Sequence, residues 1–199
     1  MHSMKPQTVI FIGPQGSGKG TQVELLKAHL EQLSPEQKVI SIETGKGFRD
    51  LAETDSYTAH RVKEILAEGG LIPNFLTKSF VVKYLIKNLT PDVHMTMDGF
   101  PRNLVQVKFI DDLMKFYERE GISIVYLDTP EDVVRERMSG RARGDDTPEL
   151  IDERLRLYKE QTEPIIAEYE GRADVNFVRI DGSLSIPEVS ALMLTGLGL

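Results

Sequence analysis

The segment Gly13-Pro14-Gln15-Gly16-Ser17-Gly18-Lys19-Gly20-Thr21 constrains this chain more than any other stretch. It follows a short apolar run, Thr8–Ile12, and precedes a pattern with Val23, Leu26, Leu30 and Leu33 on one helical face. A strand, a glycine-rich turn and an amphipathic helix in that order specify one βα unit. Glycines let the backbone curl so that successive N–H groups point inward, and the helix N-terminus adds its partial positive charge. Lys19 adds a full one. Such a cradle suits phosphate oxygens, and Gly13-x-x-x-x-Gly18-Lys19 has the spacing of a phosphate-binding loop. The hydroxyl residue expected directly after the lysine is displaced by one, to Thr21.

Further strands are predicted at Val39–Ile42, Val93–Met97, Ile122–Leu127 and Phe177–Ile180, all short and rich in Val and Ile as buried parallel strands are. Helical patterns lie between them, one marked by Ile151, Leu155 and Tyr158. The alternation predicts an α/β P-loop three-layer fold with a five-stranded parallel sheet, in one domain over residues 1–199. Two regions break the rhythm. About fifty residues separate the second and third strands, with breaks at Gly69-Gly70 and Pro73, which predicts a small helical insertion. Arg141–Pro148 is charged, short and bounded by Gly140 and Pro148, and reads as a surface loop between helices.

Composition excludes several classes. The net charge of −7 leaves no broad basic face for a nucleic-acid coat protein, so a polyanionic ligand needs a local cluster of Lys and Arg. The absence of cysteine excludes disulfides, iron–sulfur clusters and Cys-ligated zinc. The four histidines, His2, His29, His60 and His94, show no metal spacing. Val9–Ile12 is too short for a membrane span or a signal peptide, so a cytoplasmic protein is expected.

Three residues outside the loop stand out chemically. Asp98 ends an apolar run and is therefore expected at the carboxyl edge of a buried strand, where open α/β sheets bind ligands. A carboxylate there can hold Mg²⁺ through water. Arg102 follows Pro101 in a tight turn, and its guanidinium fork matches phosphate oxygens two at a time. Arg154, three residues after Ile151, borders the apolar stripe of its helix and is expected to point inward.

These residues resemble a family. The loop is similar to that of adenylate kinases and related nucleoside monophosphate kinases of the short-lid type. Thr44-Gly45-Lys46-Gly47-Phe48-Arg49 resembles the family's Thr-Gly-Asp-x-x-Arg, and Gly70-Leu71-Ile72-Pro73 its Gly-x-(Val/Ile)-Pro. Asp98-Gly99-Phe100-Pro101-Arg102 matches its Asp-Gly-(Tyr/Phe)-Pro-Arg, with Gln106 four residues on. Arg137, Arg141, Arg143, Asp145, Asp146 and Arg154 follow in the family's order. Six of the chain's twelve arginines thus fall on motif positions.

The resemblance implies Mg²⁺-dependent, reversible phosphoryl transfer from ATP to AMP, giving two ADP. Lys19, Arg102, Arg141, Arg143 and Arg154 are the implied catalytic cations. ATP would be held by Gly16, Ser17, Gly18, Lys19, Gly20 and Thr21, with Arg137, Arg141 and the backbone near Leu184. AMP would be held by Thr44, Arg49, Gly70, Leu71, Ile72, Gly99, Phe100, Pro101, Arg102, Gln106, Arg143 and Arg154. Residues 44–73 become the acceptor-binding insertion and 140–148 a short lid without ligands for zinc. A monomer acting on free nucleotides, with no nucleic-acid or membrane partner, is expected. Gln106 favours AMP, because a carboxamide both donates and accepts and so suits the N1/N6 edge of adenine. A UMP/CMP kinase and a nucleotide-binding module without turnover remain the alternatives.

Two features depart from the family pattern. Lys46 stands where the family carries Asp, and Gly47 beside it is expected to loosen the helix starting there. Asp145 and Asp146 read equally as anchors for lid arginines or as solvated loop charges.

Overall fold

The computed structural model describes residues 4–141 and 146–199. Strands β1 (Thr8–Ile12), β2 (Val39–Glu43), β3 (His94–Asp98), β4 (Ile122–Asp128) and β5 (Val175–Asp181) form one sheet in the order β2-β3-β1-β4-β5. Every pairing is parallel. The expected third and fifth strands shift by one or two residues at their starts, and β2 to β5 each run further at their carboxyl ends.

Alternation along the strands assigns the two faces. Ile10 and Ile12 of β1 enter one core with Val81 and Leu85 of α4 (Asn74–Asn88), Ile110 of α5 (Leu104–Phe116) and Ile165 of α8 (Pro164–Glu170). Val9 and Phe11 enter the other with Val23, Leu26 and Leu30 of α1 (Lys19–Leu33) and Val189 and Met193 of α9 (Ile186–Leu197). All these β1 side chains are at most 2% exposed, so the central strand is sealed on both sides. Leu33, expected on the buried face of α1, is instead 52% exposed. It is the last residue of the helix and lies about 80° around it from Val23, at the margin of the stripe.

The long β2–β3 connection holds α2 (Thr44–Ala52) and α3 (Tyr57–Ala67) before α4 returns to the sheet. Phe48, Ala52 and Val62 build a satellite core there with Leu66, Ile72, Leu76 and Phe80 around it. Gly47 does not prevent α2 from forming. The Phe80 ring crosses the helix at this residue so closely that a Cβ would lie 2.2 Å from its Cζ atom.

On the other side, α6 (Glu131–Gly140) and α7 (Pro148–Leu157) pack through Val134, Met138, Ile151 and Leu155. A π-helical turn, Tyr158–Thr162, follows, closed by Glu163 N–H donating to Tyr158 O at 2.9 Å. Pro164 explains the widening. It has no N–H for the next α-helical bond, and its ring crowds the carbonyl four residues back.

Candidate active site

The sheet order reverses at β1, which has β3 on one side and β4 on the other. Crevices at such switch points open at the carboxyl ends of the strands. There a cleft of about 510 Å³ is lined by the loop after β1, by Glu43 and Asp98 at the ends of β2 and β3, by Arg49 of α2 and by Arg154 of α7.

The glycine loop has the backbone its composition requires. Gly16 and Gly18 have φ of +91° and +95°, in the left-handed region that side chains rarely enter. Lys19 Nζ lies over the loop, donating to the carbonyls of Gly13 at 2.8 Å and Pro14 at 2.7 Å, and to Ser17 Oγ at 3.4 Å. Desolvation pushes its pKa down to about 8; Asp98 opposes the shift, while Arg102 and Arg141 add to it. Gly16, Gly18, Gly20 and Thr21 line the cleft, and Ser17 is buried beneath the loop.

The turn after β3 gathers a second group. The Gly99 carbonyl accepts from Thr44 Oγ1 at 2.8 Å and from Arg102 Nε at 2.9 Å. The Arg102 guanidinium is thus fixed against the end of β3. Burial holds its pKa below the ordinary value; Asp98 opposes this, and the like charges of Arg49 and Arg154 reinforce it. Gly99, Pro101 and Arg102 line the cleft, with Gly70 and Leu71 from the α3–α4 connection. Four residues expected at the acceptor, Thr44, Ile72, Phe100 and Gln106, do not line the cleft. Thr44 is 3% exposed, Phe100 is fully buried in the core, and Ile72 packs in the satellite core. Gln106 is 3% exposed, its Oε1 accepting from Arg102 N–H at 2.7 Å.

Charge is the dominant character. Among the described residues, Lys19, Lys46, Arg49, Arg102, Arg137, Arg141 and Arg154 line the cleft against only two carboxylates, Glu43 and Asp98. A chain of net charge −7 thus carries a locally cationic crevice. Asp146 supplies support from behind. Its carboxylate, with 2% of the side chain exposed, takes Arg141 through Nε and through Nη2 at 3.0 Å, and Arg154 Nη1 at 2.7 Å. Of the two readings left open for Asp146, anchorage holds; Arg143 and Asp145 lie outside the described residues.

Arg137 reaches the β5–α9 turn, donating to Gly182 O at 2.6 Å and Ser183 O at 3.4 Å. Leu184 packs against the α1–α9 core rather than lining the cleft. Glu43, Leu66, Gly69, Leu157, Tyr158 and Thr162 line it without having been expected at the site from the sequence. Thr162 also donates to Arg102 O at 3.1 Å, tying the turn after β3 to the segment that follows α7. Tyr158 and Thr162 fall four and eight residues after Arg154, a helical spacing that could have flagged them.

The donor set also fits Mg²⁺. Asp98 and Thr21 offer hard oxygens beside the loop, and no group of three His, Cys, Asp or Glu residues with metal spacing occurs among the described residues. One carboxylate with phosphate oxygens and water is the usual manner of holding this ion.

The sequence aligns with known proteins over this whole arrangement. It is 34% identical to an adenylate kinase of Prochlorococcus marinus (strain MIT 9515) over 177 residues, covering 88% of this chain and 91% of that one. Identity to adenylate kinase 1 of a Nostoc species is 32% over 96% of this chain and 98% of the relative. To the adenylate kinase of Thermus thermophilus it is 32% over 97% and 98%. The profile of the family described as adenylate kinase matches residues 11–174, from within β1 to the threshold of β5. Since that match takes in both the phosphate cradle and the arginines gathered opposite it, the chain belongs to the adenylate kinase family.

Proposed function

We infer that this protein transfers the terminal phosphoryl group of ATP to AMP, reversibly, giving two ADP. The observation that carries the reading is the cationic cleft at the sheet's switch point, in a chain of this family. Phosphoryl transfer needs little covalent help from protein; alignment and positive charge around the equatorial oxygens supply most of the acceleration.

The cleft divides accordingly. The loop amides and Lys19 hold the donor phosphates, and Arg137 lies beside the donor base. Arg49 and Arg102 hold the acceptor phosphate, Gln106 meets the acceptor base, and Arg141, Arg143 and Arg154 surround the group in transit. Asp98 and Thr21 would hold Mg²⁺, which would supply positive charge to offset the negative charge of the donor phosphates. Residues 44–73 form the acceptor flap and 140–148 the lid, excluding water that would otherwise hydrolyse ATP. The acidic chain acts as a cytoplasmic monomer on free nucleotides. Among the described residues no helix is long and apolar enough to cross a membrane.

A coupled assay for ADP formation with AMP, CMP and UMP as acceptors tests this reading. AMP is expected to be the best acceptor, and Lys19→Ala is expected to lower kcat by about 10²–10³-fold, as loss of one preorganised charge donor does. Calorimetric binding of ATP without ADP formation in the presence of AMP and Mg²⁺ would instead leave a nucleotide-binding module.

A further inference from the structure

The Gln106 carboxamide lies in a hydrogen-bond circuit whose polarity is set at both ends by main-chain N–H groups. Asn103 caps α5, its Oδ1 accepting from Gln106 N–H at 3.0 Å. With its oxygen spent on the helix, Asn103 turns Nδ2 outward, donating to Asn74 Oδ1 at 3.0 Å. The same Asn74 oxygen accepts from Gln106 Nε2 at 2.8 Å. At the far end, Arg102 N–H donates to Gln106 Oε1 at 2.7 Å.

A main-chain N–H can only donate. Exchanging oxygen and nitrogen in any one of the three amides therefore sets donor against donor or acceptor against acceptor. Gln106 is 3% exposed, so water cannot repair the mismatch.

We propose that Asn74, on the first turn of α4, is a positioning residue for acceptor recognition, resting on the reading of Gln106 as the group that meets the acceptor base. By taking one Nε2 hydrogen it holds the carboxamide in one of its two flip states. Oε1 keeps a second lone pair and Nε2 a second hydrogen, in the order that this flip state sets. That ordered pair complements a purine with an amino donor at C6 and an acceptor at N1, as in adenine. Hypoxanthine presents the reverse order on a ring of the same size, so the fixed amide discriminates AMP from IMP without any difference in shape. Without Asn74, Arg102 N–H alone opposes the flip, and the amide serves the reversed order more readily.

The test compares kcat and KM for AMP and IMP in Asn74→Leu, Asn74→Asp, Gln106→Leu and the Asn74→Leu/Gln106→Leu pair. Asn74→Leu removes the accepting oxygen; Asn74→Ala removes it without adding volume if Leu hinders folding. Either is expected to raise KM for AMP and reduce the AMP-to-IMP ratio of kcat/KM by about tenfold, with kcat for AMP changed about twofold or less. Asn74→Asp keeps an oxygen for both N–H donors and is expected to retain the ratio. The pair is expected to match Gln106→Leu alone, because Asn74 acts only through Gln106. A merely structural role would lower stability and kcat but leave the ratio in place. If the ratio falls in Gln106→Leu and not in Asn74→Leu or Asn74→Ala, Asn74 has no positioning role and the base reading stands. If it is unchanged in Gln106→Leu, the base reading and the proposal fall together.

Discussion

Arg154 Nη1 donates to Asp146 Oδ1 at 2.7 Å, with 9% and 2% of the two side chains exposed. The same carboxylate holds Arg141. One buried anion thus sets the spacing of two guanidinium groups that line the cleft. Asp146→Ala is expected to destabilise the fold by about 3 kcal/mol, the usual cost of leaving buried charge uncompensated. Chemical denaturation measures that loss, and kcat is expected to fall more than KM rises. A variant of unchanged stability and turnover would show the ion pairs to be incidental.

Lys19 gives the enzyme an alkaline limit. With its pKa near 8, the free protein loses this charge as pH rises through 8 rather than near 10.5. The kcat/KM for ATP, which reports the free enzyme, is expected to decline about tenfold per unit above that point. Lys19→Arg, whose guanidinium stays charged, is expected to lack the inflection even if its rate is lower. A wild-type profile flat to pH 10 would contradict the assignment.

Gly47→Ala sets two effects against each other. Alanine improves helix propensity by about 1 kcal/mol, but its Cβ would sit 2.2 Å from the Phe80 ring. Overpacking of that kind costs about 1–3 kcal/mol and is expected to win. The melting temperature should fall, and Phe80→Leu in the same chain should restore part of it.

His94 predicts acid sensitivity. It is fully buried, with Nδ1 accepting from Gln7 N–H at 3.0 Å and Nε2 2.9 Å from Ser34 Oγ. Burial, with Arg119 nearby, lowers its pKa below 6.5. The unfolded chain therefore takes up this proton first as pH falls, so the contribution is complete above 6.5 and is lost progressively below it. The expected slope is at most about 1.4 kcal/mol per pH unit from this residue. Urea midpoints between pH 7 and 5 should decline less steeply in His94→Gln.

The strands and the phosphate loop were legible because their signals are local: apolar runs, glycine spacing, and a lysine at the helix start. Arg154 was legible as an inward residue because it borders the stripe of Ile151 and Leu155. The place of Glu43 in the cleft wall was not, since it depends on the parallel register that sets it beside Asp98. Asn74 was equally hidden, because its partners Asn103 and Gln106 come from another helix start. Gly47 looked like a flaw in a helix until Phe80, distant in sequence, was seen against it. What escapes the sequence in each case is a pairing across elements.

The π-helical turn at Tyr158–Thr162 sets an angular offset between two halves of one rod. Wound as ordinary α-helix, the same residues would rotate everything before them by about 100° relative to α8. Because α8 is locked into the sheet core through Ile165 and Ile166, the rotation would fall on α7. Arg154 would then swing away from the crevice while Thr162 stayed put. A single surplus residue, absorbed in one widened coil, keeps the Arg154 guanidinium turned into the cleft.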